Sequence, residues 1–147
     1  MLAGQTNTHW EGAGLPLAGQ PKLLSRVLGE VHHHMSEMFC PHELRLEGGR
    51  PPIEFRHHHT SLGSLSFNAT DYGNPFGRIV VKIPPMESLF LVQFSLSGVA
   101  EISQDNASVE LRPGHMCVLN PESRVQQKFG DGHKHFTLRG HHVVVLG

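Results

Sequence analysis

The sequence predicts a mainly β domain, a sandwich or closed barrel of short antiparallel strands with one helix near the N-terminus. Three observations lead there. Between Ser88 and Pro121, four apolar runs (Leu89 to Leu96, Val99 to Ile102, Ser108 to Leu111, Met116 to Leu119) are separated by Ser97-Gly98, Gln104-Asp105-Asn106 and Arg112-Pro113-Gly114. Short runs bounded by turn residues at roughly 8–12-residue spacing are the pattern of sandwich and barrel strands. Ser108-Val109-Glu110-Leu111 alternates polar with apolar, as a strand with one wet face does. One stretch alone carries a helical period: Leu24, Val27, Leu28, Val31, Met35 and Met38 recur at three- and four-residue steps.

Taken in order, residues 1–20 are rich in Gly, Thr, Asn and Gln without apolar period and read as a flexible arm, with Trp10 the one residue suited to docking. Residues 21–147 form the domain. Pro21 suits the first turn of the helix, and Cys40-Pro41 ends it because the residue before proline is driven out of the α region. Strands are expected over 42–50, from Ile53, over Leu62 to Phe67, over Arg78 to Ile83, over Arg124 to Phe129, over His135 to Leu138 and over 141–146, with Asp71 to Pro75 as a turn. Roughly nine or ten strands are expected in all. Leu89 to Phe94 is apolar on both faces except at Gln93, so it is expected to be central or covered.

At 147 residues the chain holds one core. Twelve Lys and Arg against 13 Asp and Glu give a net charge of −1, so the chain alone is poorly suited to a phosphate backbone. Cys40 and Cys117 have no metal or disulfide-framework spacing and no secretory leader is visible, which favours a reduced cytoplasmic setting. No apolar run approaches the roughly 18–20 residues that span a bilayer, so no membrane partner is expected.

Three strings, Met35 to Leu44 (MSEMFCPHEL), Leu62 to Gly73 (LGSLSFNATDYG) and Leu89 to Ser123 (LFLVQFSLSGVAEI with PGHMCVLNPES), resemble in order and spacing the N-terminal regulatory domain of AraC/XylS-type bacterial transcription regulators. The resemblance covers about Leu23 to Leu138. It implies a cupin-like β-barrel that receives a small-molecule effector or forms a homodimer, with DNA bound through a later helix-turn-helix domain. The family continues into linker helices and that domain where this sequence stops at Gly147, so DNA binding is expected outside these residues.

Thirteen histidines raise the question of a metal. The metal-dependent cupins carry an HxH pair and a glutamate before the strand that ends in glycine. Here the segment preceding that strand reads Ile83-Pro84-Pro85-Met86-Glu87, and Val125 to Gln127 stand where a later imidazole belongs. Neither a metal nor another cofactor is therefore expected, and the case for a dioxygenase or isomerase falls. The alternative is a stand-alone metal-binding cupin or enzyme built on His57 and His59 with His133 and His135, each pair sharing a strand face. With Arg56 and Lys134 beside them, these four read better as solvated rim histidines. His32 and His33 lie off the helix stripe and His34 flanks it. Cys117 in its apolar run reads as inert packing. No GxSxG elbow or P-loop appears, and the chain is expected not to be an enzyme. A binding cavity suits the barrel better. The effector-pocket candidates are Phe90, Val92 and Phe94 on one face, with Met116, Arg124, Gln127 and Phe129.

Overall fold

The computed structural model describes residues 14–49, 53–73 and 77–141. Within them lie β1 (Pro21–Ser25), α1 (Leu28–Met38), β2 (Glu43–Glu47), β3 (Phe55–Leu62), β4 (Leu65–Asp71), β5 (Arg78–Ile83), β6 (Leu89–Ser97), β7 (Ala100–Gln104), β8 (Ala107–Leu111), β9 (Met116–Leu119), β10 (Val125–Phe129) and β11 (Lys134–His141). The strands form two antiparallel sheets, one of six in the order β1-β3-β4-β11-β6-β9 and one of five in the order β2-β5-β10-β7-β8. The mainly β expectation holds, with eleven strands among the described residues. The last strand expected, 141–146, lies outside them except for His141.

Turn chemistry sets the hairpins. Asp105 and Asn106 both adopt positive φ, 53° and 62°, and make the two-residue connection between β7 and β8 whose twist matches the flanking strands. At Gly73, φ is +59° and a side chain would be driven into the Glu54 carbonyl. The Glu54 N–H in turn donates to the Gly73 carbonyl at 3.0 Å, so this close approach ties the entry to β3 to the exit from β4.

The helix begins later than its apolar stripe suggests. Pro21 to Ser25 is an edge strand, with Leu24 opposite Arg56 and Ser25 opposite Phe55. The Val27 N–H donates to Ser25 Oγ at 3.1 Å where the chain turns into α1. Leu24 and Val27 are exposed. A segment this short gains little from helical nucleation, whereas the edge of β3 offers it a row of backbone partners. Residues 14–20, expected in the arm, lie against the same sheet: Leu15 is buried, and His58 Nδ1 donates to the Pro16 carbonyl at 2.8 Å. Residues 1–13, with Trp10, are outside the described part.

The core lies between the sheets and includes Phe55, Ile79, Val81, Leu91, Ile102, Leu119, Val125 and Phe129. Helix α1 buries Val31 and Met35 and touches β1 of one sheet and β2 of the other, so it closes the side on which both sheets begin. No helix among the described residues is long and apolar enough to cross a membrane.

Candidate functional site

The phase of the strands places an unusual set of side chains inside. On β6 the buried positions are Leu89, Leu91, Gln93 and Ser95. The register then sets three rows across the inner face of the six-stranded sheet. The first joins His57, Thr70, His135 and Ser95. The second joins His59, Asn68, Thr137, Gln93 and Cys117, and the third joins Ser66, Arg139, Leu91 and Leu119. The facing wall is apolar, built from Ile79, Val81, Ile83, Val125, Phe129 and Ile102, with Gln127 as its polar member. One wall of the barrel is therefore polar and the other greasy.

Polar groups taken from water are costly unless they are hydrogen-bonded, and part of this wall meets that demand internally. His57 Nε2 lies 2.8 Å from Asn68 Oδ1, and His59 Nδ1 lies 3.0 Å from the same oxygen. Because that oxygen only accepts, both ring nitrogens carry the proton. His57 Nδ1 is then an acceptor for His34 Nε2–H of α1 at 2.8 Å. The Asn68 amide donates to Ser66 Oγ at 3.1 Å. Helix α1 is thereby tied to the inner wall through a chain of neutral imidazoles. Burial, with the neighbouring histidines adding to it, holds His57 down to about 4; its bond to Asn68 opposes the shift. Burial holds His133 down to about 4 as well, and lowers His135 well below the ordinary value, with His133 and His57 adding to it. His133 and His135 lie 3.2 Å apart, Nε2 to Nδ1.

Other polar atoms on the wall are not met. Gln93 Nε2, Thr70 Oγ1 and Arg139 Nε are buried with no hydrogen-bond partner, and Gln93 as a residue is only 2% exposed. A cavity of about 50 Å³ lies beside Gln93, bounded by Gln127, Thr137, His135, Tyr72 and Phe129 and roofed by Met35, Phe39 and Cys40 from the end of α1. A larger cleft of about 860 Å³ opens around Lys82, Ser103, Ser108, Arg124 and Gln126. It is lined largely by exposed strand faces and the β7–β8 turn, and the unpartnered polar atom on its lining, His42 Nε2, belongs to a residue that borders the interior cavity as well.

The sequence-derived candidates divide between these places. Gln127 and Phe129 line the interior cavity and Arg124 lines the open cleft. Phe90, Val92 and Phe94 do share a face, but it is the outer face of the six-stranded sheet, and they line neither cavity. There Phe94 and Phe67 each pack on Phe136 with ring centroids 6.2 Å apart. Met116 and Val118 continue that face at 59% and 64% exposure. The solvated-rim reading of the histidines is corrected for three of them: His57, His133 and His135 are buried, while His59 is half-buried. Strand β4 separates β3 from β11, so the two HxH pairs are not on neighbouring strands. Among the described residues no three His, Cys, Asp or Glu side chains are grouped to hold a metal. Sequence reasoning missed Asn68, Thr137 and Arg139. The one available signal was Gln93, the polar residue inside the apolar run of β6.

Comparison with known proteins follows the same lines. The family model described as AraC-binding-like domain matches residues 31–140. The AraC-like transcriptional activator CuxR has a similar fold, with a TM-score of 0.65 at 14% identity over 87% of this chain. The match covers 46% of the CuxR chain, so this chain spans less than half of that structure. KdgF from Halomonas sp. aligns with a TM-score of 0.49 at 10% identity, over 58% of this chain and 77% of its own. The cupin domain of Schizosaccharomyces pombe Cnp3 aligns at 0.42 and 11%, over 59% and 64%. No curated protein matches the sequence. The fold is the cupin-like β-barrel with one helix near its N-terminus that the resemblance implied.

Proposed function

The chain belongs to the AraC-binding-like domain family, and on that premise we propose that it is the non-catalytic, effector-receiving domain of a transcription regulator, with the effector seated inside the barrel against the polar wall. The observation that carries this reading is the wall itself. Gln93 presents a buried amide nitrogen without a partner at the interior cavity, and Thr70 Oγ1 and Arg139 Nε are buried without partners in the rows on either side of it, a state that a bound molecule with complementary polar groups relieves.

The non-catalytic part rests on what the wall lacks. Its three rows hold no carboxylate among the described residues. Burial raises the pKa of both Cys40 and Cys117, leaving them as weak nucleophiles. DNA contact belongs to another part of the regulator, in keeping with a net charge of −1.

Thermal unfolding against a panel of small molecules tests the reading. An effector at about 100 times its Kd stabilises the domain by about 2.7 kcal/mol, and Gln93→Leu with Gln127→Leu removes that gain while leaving the barrel folded. A compound that stabilises the double variant as much as the parent binds elsewhere and contradicts the interior site.

Self-association is the second half of the proposal, and the outer face of the six-stranded sheet supports it. Phe67, Phe136, Phe94 and Val92 run into exposed Met116 and Val118 at the β9 edge, and contiguous apolar surface of this kind marks interfaces. A second copy facing it across a two-fold axis buries the same patch on both sides. Sedimentation across a concentration series is expected to show a monomer–dimer equilibrium that Met116→Lys with Val118→Lys shifts fully to monomer.

A further inference from the structure

Arg139 has no place in a barrel that merely packs. On β11 it follows His135 and Thr137 at two-residue steps on the inner face, opposite Ser66 on β4 and Leu91 on β6. Its Nε is buried without a hydrogen-bond partner, and none of the ion pairs among the described residues involves it. Asp71 is the one buried acid among those residues, and it is engaged by Arg56 at 2.9 Å on the opposite face of the sheet. Arg139 does not itself line the cavity, but its charge reaches Cys40, which does. Burial raises the Cys40 thiol, and the Arg139 charge pulls it back. A guanidinium always carries its charge and offers donors in a planar fork, so an inward one without an acid is half of an ion pair.

Gln93 supplies a second, independent mark. It stands one row away, opposite Thr137, almost fully buried, with its amide nitrogen unpartnered at the cavity. Val81, Ile83, Leu91, Phe39 and Met35 supply apolar contact around the same space. We infer that the effector is a small monocarboxylate with an apolar body, its carboxylate received by Arg139 and the Gln93 amide and its body laid against Val81, Ile83 and Phe39. This rests on the interior-site reading and adds the chemical class of the ligand. A carboxylate matches the guanidinium fork with two parallel hydrogen bonds. The cavity of about 50 Å³ has room for a water or two, so the ligand enters by shifting Phe39 and Cys40 at the end of α1, which belong to neither sheet.

The test uses two matched pairs of probes at millimolar concentration, phenylacetate with phenylacetamide and hexanoate with hexanamide. It follows the side-chain NMR signals of Arg139 Nε–H and the Gln93 amide, assigned through Arg139→Gln and Gln93→Leu. At least one carboxylate is expected to move both signals and to bind about tenfold or more tightly than its amide. Arg139→Gln abolishes that difference, and Arg139→Lys, which keeps the charge without the fork, retains part of it. If amides move the Gln93 signal as effectively as the acids and Arg139 stays still, the interior site stands and the anionic effector is overturned. If none of the four probes moves either signal, the monocarboxylate is overturned, and the interior site falls with it only if the thermal panel also finds nothing that depends on Gln93 and Gln127.

Discussion

Lowering the pH from about 7.5 to about 5 is expected to destabilise the domain by about 4 kcal/mol and to lower its Tm by roughly 10–20 °C. The folded protein holds both His57 and His133 near 4, below the ordinary value of 6.5, because each imidazole is withdrawn from water. Between those two values the unfolded chain binds more protons than the folded one. The stabilising contribution is therefore complete above pH 6.5 and is lost as the pH falls toward 4. At pH 5 the loss is about 2 kcal/mol for each of the two residues. His135, lowered in the same direction, adds to it. Geometry reinforces the sign: protonating His57 on Nδ1 would aim an N–H at the N–H of His34, breaking the bond that ties α1 to the wall. Thermal melts at the two pH values check this, and His133→Asn should flatten the dependence by about half. A Tm that does not move between the two pH values would mean that these imidazoles are hydrated.

Phe129→Ala is expected to cost about 3–5 kcal/mol, the range for deleting a buried aromatic. Phe129 stacks on His133 at 4.9 Å between centroids with the planes 7° apart, lies 4.8 Å from His135, and stacks on Tyr72 at 5.6 Å. It also borders the interior cavity. The void left by the ring merges with that cavity, and the histidines lose the apolar cover that keeps them neutral. Urea unfolding should show a lower midpoint with an unchanged slope, and the acid sensitivity should weaken as water reaches His133.

Most strand positions were legible because turns punctuate them: Asp105-Asn106 marks the β7–β8 hairpin and Pro113-Gly114 the crossing from β8 in one sheet to β9 in the other, whatever lies inside. The phase of the six-stranded sheet was not legible, for a specific reason. Leu89 to Phe94 is apolar on both faces except at Gln93, so its alternation does not fix which face turns inward. Here the inner face carries Asn68, Thr70, Gln93, His135 and Thr137, and the apolar set faces out. A one-residue change of phase moves every side chain to the other face, so the pocket candidates on β6 and Met116 on β9 share a face whose side of the barrel the sequence left open, and it is the outer one. Gln127 and Phe129 point inward because the five-stranded sheet follows the ordinary rule. The start of α1 was misread since Leu24 and Val27 continue its stripe, although pairing with β3 claims Leu24 for a strand and Val27 sits in the turn after it. Family resemblance reached the fold by a route that does not depend on phase.

Methionine methyl NMR reports both walls at once. Met35 hangs from α1 over the interior cavity, while Met116 stands 59% exposed on the outer sheet face. Titration with any compound that raises the Tm is expected to shift the Met35 methyl signal and leave Met116 unmoved. A titration that shifts Met116 while Met35 stays fixed would place the ligand outside the barrel and contradict the proposal that the polar inner wall is its seat.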